Sequence, residues 1–210
     1  MKRTRLHQIL HQLQKGLNSL SQINYYMASP SKEENVLKLI LETSPFKEWH
    51  FAEIVKEAGV TKLVANKWLK KYVSEGLLNH IKEKGKFPYF TVGSSNNIYY
   101  SLKRVYALEK LHLCGLIPKL LSLKEAKTII LFGSMIKGDW YKNSDIDIFI
   151  FGNISDFDKT VYELKLDKNI ELHIFQNQEE IKEVETGLIK NIINGYVLKG
   201  QIQDFTEIAS

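Results

Sequence analysis

The chain has 210 residues, enough for one large or two small domains, and its 44% hydrophobic and 25% charged content excludes general disorder. A lone cysteine, Cys114, excludes an internal disulfide, and the absence of a Cys/His cluster argues against zinc, so a reducing, cytoplasmic setting is expected. No run reaches the roughly 18 to 20 apolar residues of a membrane helix, so no membrane association is expected.

The net charge of +5 hides an asymmetry. Residues 1–123 carry 19 Lys and Arg against 9 Asp and Glu, a net of +10, whereas residues 124–210 carry 10 against 15, a net of −5. A basic part joined to an acidic part suggests two jobs, one surface for polyanions and one that gathers carboxylates.

Residues 1–30 form the first expected unit. Leu6, Ile9, Leu10, Leu13, Leu17 and Leu20 recur at helical spacing, which predicts an amphipathic helix over residues 5–23. Its basic, acid-poor start bears a faint likeness to a transit peptide but lacks the apolar core of a secretion signal. The leucine stripe suits a homodimer, or packing onto the chain's own domain.

Residues 31–102 read as a winged helix-turn-helix domain. Ser31 and Glu34 have capping-box spacing before a helix that stops ahead of Pro45. A second helix, "HFAEIVKEAG", ends at Gly59, and Thr61 caps a third, "TKLVANKWLKKYVSEG". In that helix Val64, Ala65, Trp68, Leu69, Tyr72 and Val73 cover one side. Asn66, Lys67, Lys70 and Ser74 point the other way, with Lys71 at the margin. "LLNHIKEKGKFPYFTV" then reads as two strands around a turn, and "NNIYYSL" as a further strand. Lysines contact phosphates and Asn can read adenine, so Asn66, Lys67, Lys70 and Lys71 are the candidate DNA-binding face. Lys82, Lys84 and Lys86 of the wing would add backbone affinity. Trp49, Trp68 and Trp140 are expected in the core, and Cys114 as a buried hydrophobe.

Residues 103–124 read as a helical connection interrupted near Gly115 and Pro118. From 125 to 210 the texture becomes α/β, with strands in "KTIILFG", "SDIDIFIFG", "IELHIF" and "GYVLKG" alternating with helical segments. The expected fold class is therefore an α+β two-domain chain, whose second domain is built on a mixed sheet.

The chemically specific stretch is "LFGSMIKGDWYKNSDIDIFIFG", residues 131–152. A strand ends in Gly133-Ser134 where a helix begins, and successive backbone N–H groups at such a turn can hold phosphate oxygens. In the next strand Ile146, Ile148 and Ile150 face one way, and Asp145, Asp147, Phe149 and Phe151 the other. Two carboxylates about 7 Å apart on one face repel unless a cation lies between them. Mg²⁺ takes oxygen ligands and is commonly held by one or two carboxylates together with substrate phosphates. Glu171, in an otherwise apolar strand, supplies a third acid, and His173 shares its face. Three carboxylates on adjacent strands suit two-metal catalysis.

These residues resemble the signature of the polymerase-β-type nucleotidyltransferase superfamily, and in particular its minimal nucleotidyltransferase branch. "FGS", an Asp-x-Asp strand about ten residues on, a later acidic strand and the closing "NIINGYVLKG" all fall in the family's order, over roughly residues 125–200. The resemblance implies Mg²⁺ (two ions) held by Asp145, Asp147 and Glu171, with Glu171 able to act as base. It also implies an NTP, ATP first among them, held at Gly133, Ser134, Lys137 and Ser144. Glu stands where the family more usually has Asp, and Lys137 where members often have Arg. The implied reaction is transfer of a nucleoside monophosphate to a hydroxyl acceptor, with a HEPN-type partner toxin as one candidate. Two other readings stay open: a DNA-binding regulator whose transferase-like domain senses a nucleotide or mediates assembly without turnover, and RNA recruitment for nucleotide addition.

Overall fold

The structure is a computed structural model that describes residues 35–93 and 96–206. The expected helix over 5–23 and the Ser31–Glu34 capping box lie outside the described residues.

The first unit is built from helix α1 (Asn35–Glu42), strand β1 (Trp49–His50), helices α2 (Phe51–Glu57) and α3 (Lys62–Ser74), and a hairpin of β2 (Asn79–Ile81) and β3 (Tyr89–Thr91). The strands pair antiparallel in the order β1-β3-β2. Helix α1 buries Val36, Leu37, Ile40 and Leu41 against α2 and α3. The side chain of Thr61 accepts a hydrogen bond from the Val64 N–H at 3.3 Å, which caps α3 and satisfies one of its free amide donors. Ala65, Leu69 and Tyr72 of α3 are buried, whereas Asn66, Lys67, Lys70 and Ser74 are exposed. Trp49 lies in the core and Trp68 is half-buried.

The segment "NNIYYSL" departs from its expected strand. It opens helix α4 (Asn97–Leu113). The reason lies at Asn96. Its Oδ1 accepts from the Tyr99 N–H at 3.0 Å, while its Nδ2 donates to the carbonyls of Gly76 and Leu77. The cap starts a helix and ties it to the end of α3. Tyr99, Lys103, Tyr106, Ala107 and Leu111 then fall on one buried face with helical period. Over four residues, tyrosines read equally well as strand or helix.

Helix α4 ends at Gly115, whose φ of +90° suits glycine, and α5 (Leu116–Ser122) follows. Pro118 sits in the first turn of α5, where its missing N–H leaves no helical bond unmade. Cys114 is half-buried rather than buried, and its thiol donates to the Leu111 carbonyl.

The second unit is a four-stranded mixed sheet in the order β6-β5-β4-β7. Its strands are β4 (Ala126–Phe132), β5 (Ile146–Gly152), β6 (Ile170–Phe175) and β7 (Tyr196–Lys199). Strand β4 runs antiparallel to both β5 and β7, while β5 and β6 are parallel and joined through α7 (Thr160–Leu166). Helix α6 (Ser134–Lys137) follows β4, and α8 (Gln178–Lys182) and α9 (Thr186–Ile193) precede β7. Strand β5 is buried on both faces. Ile146, Ile148 and Ile150 join the large core with Ala126, Ile129 and Leu131, while Phe149 and Phe151 pack with Ile130, Phe132, Ile181, Ile192 and Phe205.

Helix α4 binds the two units together. On one side Tyr99 Oη donates to the Ile40 carbonyl, and Tyr106 Oη and Lys110 Nζ both reach Glu42 Oε1 at 2.7 Å. On the other, Arg104 Nε donates to the Ile136 carbonyl, and the Tyr106 ring stacks on Trp140. Between them Lys103 is wholly buried, donating to the Thr43 carbonyl at 2.6 Å and to Tyr99 Oη at 3.2 Å. Burial pushes its ammonium down to about 7, only partly opposed by Asp139.

That lysine makes stability depend on pH with a definite sign. The unfolded chain keeps the Lys103 proton up to the ordinary lysine value of 10.5, whereas the folded protein releases it near pH 7. Between those values the unfolded state binds more protons, so this contribution rises with pH. Urea unfolding should show the wild type gaining on the order of 2 kcal/mol from pH 7 to pH 9 that Lys103→Met does not gain.

Candidate active site

The acidic residues are brought together by strand register. Across the antiparallel β4–β5 pair Asp147 faces Phe132, and across the parallel β5–β6 pair it faces Glu171. Slipping either strand by one residue would carry its acid to the opposite face, into the isoleucine core. Asp147 is half-buried, and the Glu171 side chain is 54% exposed. His173 follows on the same face of β6, its Nε2 3.5 Å from Glu171 Oε1 and its ring tilted against Phe132. One donor atom each from Asp147, Glu171 and His173 lie within 4.8 Å of one another.

Burial is the largest influence on the Asp147 carboxyl and raises it above the usual carboxylate range. The charges of Glu171 and Asp145 push in the same direction, and His173 and Lys137 oppose them. A like-charged pair of carboxylates at one register position is an arrangement that a cation relieves. The oxygen donors of Asp147 and Glu171 match the chemistry of Mg²⁺. His173, which sequence reading set down as either a phosphate or base contact or an ordinary half-buried histidine, stands within the donor group.

Asp145 differs from its expected place. Strand β5 begins at Ile146, so Asp145 is exposed at the strand's mouth and lies outside that donor group, although its charge is felt at Asp147.

Gly133 shapes the other wall. Its φ of +72° and ψ of −156° lie in a region essentially reserved for glycine. A Cβ there would stand 1.9 Å from Asp147 Oδ2, so the missing side chain lets the carboxylate lie against the turn. Ser134 opens α6 and is half-buried. Lys137, at the end of α6, is exposed and donates to Asn191 Oδ1 of α9 at 3.1 Å. Ser144 closes the turn that precedes Asp145, its Oγ accepting from the Tyr141 N–H at 3.0 Å. Lys168, which sequence reading did not single out, donates to the carbonyls of Tyr141 and Lys142 at 2.8 Å and of Ser144 at 3.1 Å. Burial lowers its ammonium to about 8.

Away from this cleft, Asn66, Lys67 and Lys70 share the open face of α3. Lys71 is half-buried over the Trp68 ring, with Glu75 at 3.8 Å. In the hairpin Lys82 and Lys84 are exposed, and Lys86 is paired with Glu83 at 2.6 Å.

Residues 116–203 match the family described as Polymerase beta, Nucleotidyltransferase. This part of the chain is a nucleotidyltransferase-type domain. The matched span contains Asp145, Asp147 and Glu171 and begins ten residues ahead of β4. No curated protein matches the chain. Among solved structures, a toxin–antitoxin with AMP-PNP is 23% identical, over 46% of this chain and 75% of that one, with a TM-score of 0.31. A mutant of the toxin–antitoxin MntA-HpeT is 20% identical, over 48% of this chain and 76% of that one, with a TM-score of 0.29. No helix among the described residues is long and apolar enough to cross a membrane.

Substituting Gly133 tests how tightly turn and carboxylate fit. Gly133→Ala should cost about 1–3 kcal/mol in backbone strain. It should also displace the Asp147 side chain, so that the melting temperature falls while the circular dichroism spectrum stays that of the wild type.

Proposed function

We propose that the nucleotidyltransferase-type domain transfers a nucleoside monophosphate, AMP in the first instance, from an NTP to a hydroxyl acceptor, with release of pyrophosphate. The observation that carries this reading is the shared register of Asp147 and Glu171 beside the Gly133 turn. It places a carboxylate pair next to a backbone turn fit to receive phosphate oxygens.

Asp145, Asp147 and Glu171 would hold Mg²⁺, two ions in the full site. Bound there, the metal would neutralise the triphosphate and lower the pKa of the attacking hydroxyl. The chain's own residues do the rest. The Gly133 turn and Ser134 present donors to the phosphates, and Lys137 and Ser144 add a charge and a hydroxyl at the rim. Glu171, more exposed than Asp147, accepts the proton of the acceptor hydroxyl as its oxygen bonds to the α-phosphorus. The bond from that phosphorus to the bridging oxygen breaks, and pyrophosphate leaves with the electron pair. The acceptor we propose is a hydroxyl on a partner protein of the HEPN type, which the family resemblance implies.

The helices α1–α3 and the antiparallel strands of the first unit support reading it as a winged helix; α4 (Asn97–Leu113) runs across the expected boundary at 102/103, so α4 and α5 together make the connection to the transferase domain. Asn66, Lys67 and Lys70, with Lys71 at their margin, would face DNA, and Lys84 and Lys86 would reach its backbone from the wing. The chain as a whole would then be a cytoplasmic homodimer that binds DNA and modifies a partner.

Incubation with labelled ATP, Mg²⁺ and the product of a neighbouring gene should transfer label to that protein. Asp145→Ala/Asp147→Ala should lower the rate by on the order of 10³-fold or more, and Glu171→Gln should also lower it. Absence of any aspartate-dependent product leaves the second reading, a regulator that senses a nucleotide without turnover.

Binding to DNA from the chain's own promoter should weaken with salt. Lys67→Ala/Lys70→Ala should reduce the salt slope by about 2 if each lysine meets one phosphate. A slope unchanged by the double substitution counts against this face.

A further inference from the structure

Asp145 lies outside strand β5, so the sheet does not hold it as it holds Asp147. The backbone on either side of it is tied to the junction between α7 and β6. On one side of Asp145, the Ile146 N–H donates to the Asn169 carbonyl at 2.9 Å. On the other, the Lys168 ammonium donates to the carbonyls of Tyr141, Lys142 and Ser144. An ammonium has three N–H donors, and here three backbone oxygens of one turn meet them.

The approach of Lys168 is built into the backbone. Asp167 has a φ of +52°, unique among the described non-glycine residues, and it ends α7 by turning the chain back toward the loop. The same ammonium stands 5.2 Å from the centre of the Trp140 ring, which is buried and stacked on Tyr106 at an interplanar angle of 3°. The loop is thus held between α4 and the strand that carries Glu171, three residues beyond Lys168.

We propose that Lys168 is a positioning residue for the transferase site: by clamping the carbonyls of residues 141, 142 and 144 it fixes where Asp145 presents its carboxylate relative to Glu171. The inference rests on the reading of Asp145 and Glu171 as metal ligands. The three N–H donors of Lys168 are engaged by the loop carbonyls. The residue acts through the loop, as residues that orient metal ligands commonly do.

The test uses the full chain with Mn²⁺ and a non-hydrolysable ATP analogue, comparing wild type, Lys168→Gln, Lys168→Arg and the control Lys165→Gln. Lys165 donates to the Cys114 carbonyl, away from the loop. Lys168→Gln should raise the Mn²⁺ dissociation constant about tenfold and speed amide hydrogen exchange across residues 141–147. Lys165→Gln should do neither. The planar guanidinium of Lys168→Arg keeps the charge but cannot meet three oxygens from one nitrogen, so its Mn²⁺ affinity should fall about threefold. That variant keeps the test open if the glutamine variant fails to fold. Unchanged Mn²⁺ affinity and unchanged exchange in both Lys168 variants overturn the proposal, and so does a wild type that binds no Mn²⁺. The transferase reading fails separately. If the wild type transfers no label but the Lys168 variants lose Mn²⁺ and loosen the loop, the positioning role stands without the proposed reaction.

Discussion

The second unit turns on the electrostatic conflict between Asp147 and Glu171. Two carboxylates share one register position of a parallel strand pair, and one of them is half-buried. Nothing in packing rewards that arrangement. What imposes it is the pair of apolar faces on β5, isoleucines on one side and phenylalanines on the other. With both faces committed to cores, the register cannot slip, and Asp147 must stand where it does. The cost shows in its raised carboxyl, and the basic groups His173 and Lys137 offset only part of it.

Period-two alternation made this part legible in the sequence. The strand order of apolar and acidic residues in "DIDIFIF" gave the faces of β5, and "IELHIF" gave those of β6. Gly133 was legible only together with its acidic neighbours, because a Gly-Ser pair after a strand is by itself usually just a turn, and how near it comes to Asp147 depends on the fold. The outward face of α3 was equally plain from its 3.6-residue period, down to the marginal place of Lys71.

Other features were hidden for physical reasons. Helix α4 passed for a strand at its start because its identity depends on Asn96 reaching back twenty residues to Gly76. Asp145 looked equivalent to Asp147 by spacing, yet spacing cannot tell a strand residue from the residue at its mouth. Lys168 carried no signal at all. Its partners are backbone carbonyls 24 to 27 positions away, and carbonyls are the same in every residue.

Besides a shared apolar core, the two units meet through side chains that are costly to bury. Lys103 gives up solvation to hold the end of α1, and Glu42 is shared by Tyr106 and Lys110 of α4. Tyr106 then stacks on Trp140, and Trp140 lies beside Lys168. The apolar core they share would tolerate sliding. Hydrogen bonds from fixed donors to named carbonyls do not. A shift of α1 against α4 therefore has to break or carry along the Glu42 and Thr43 contacts.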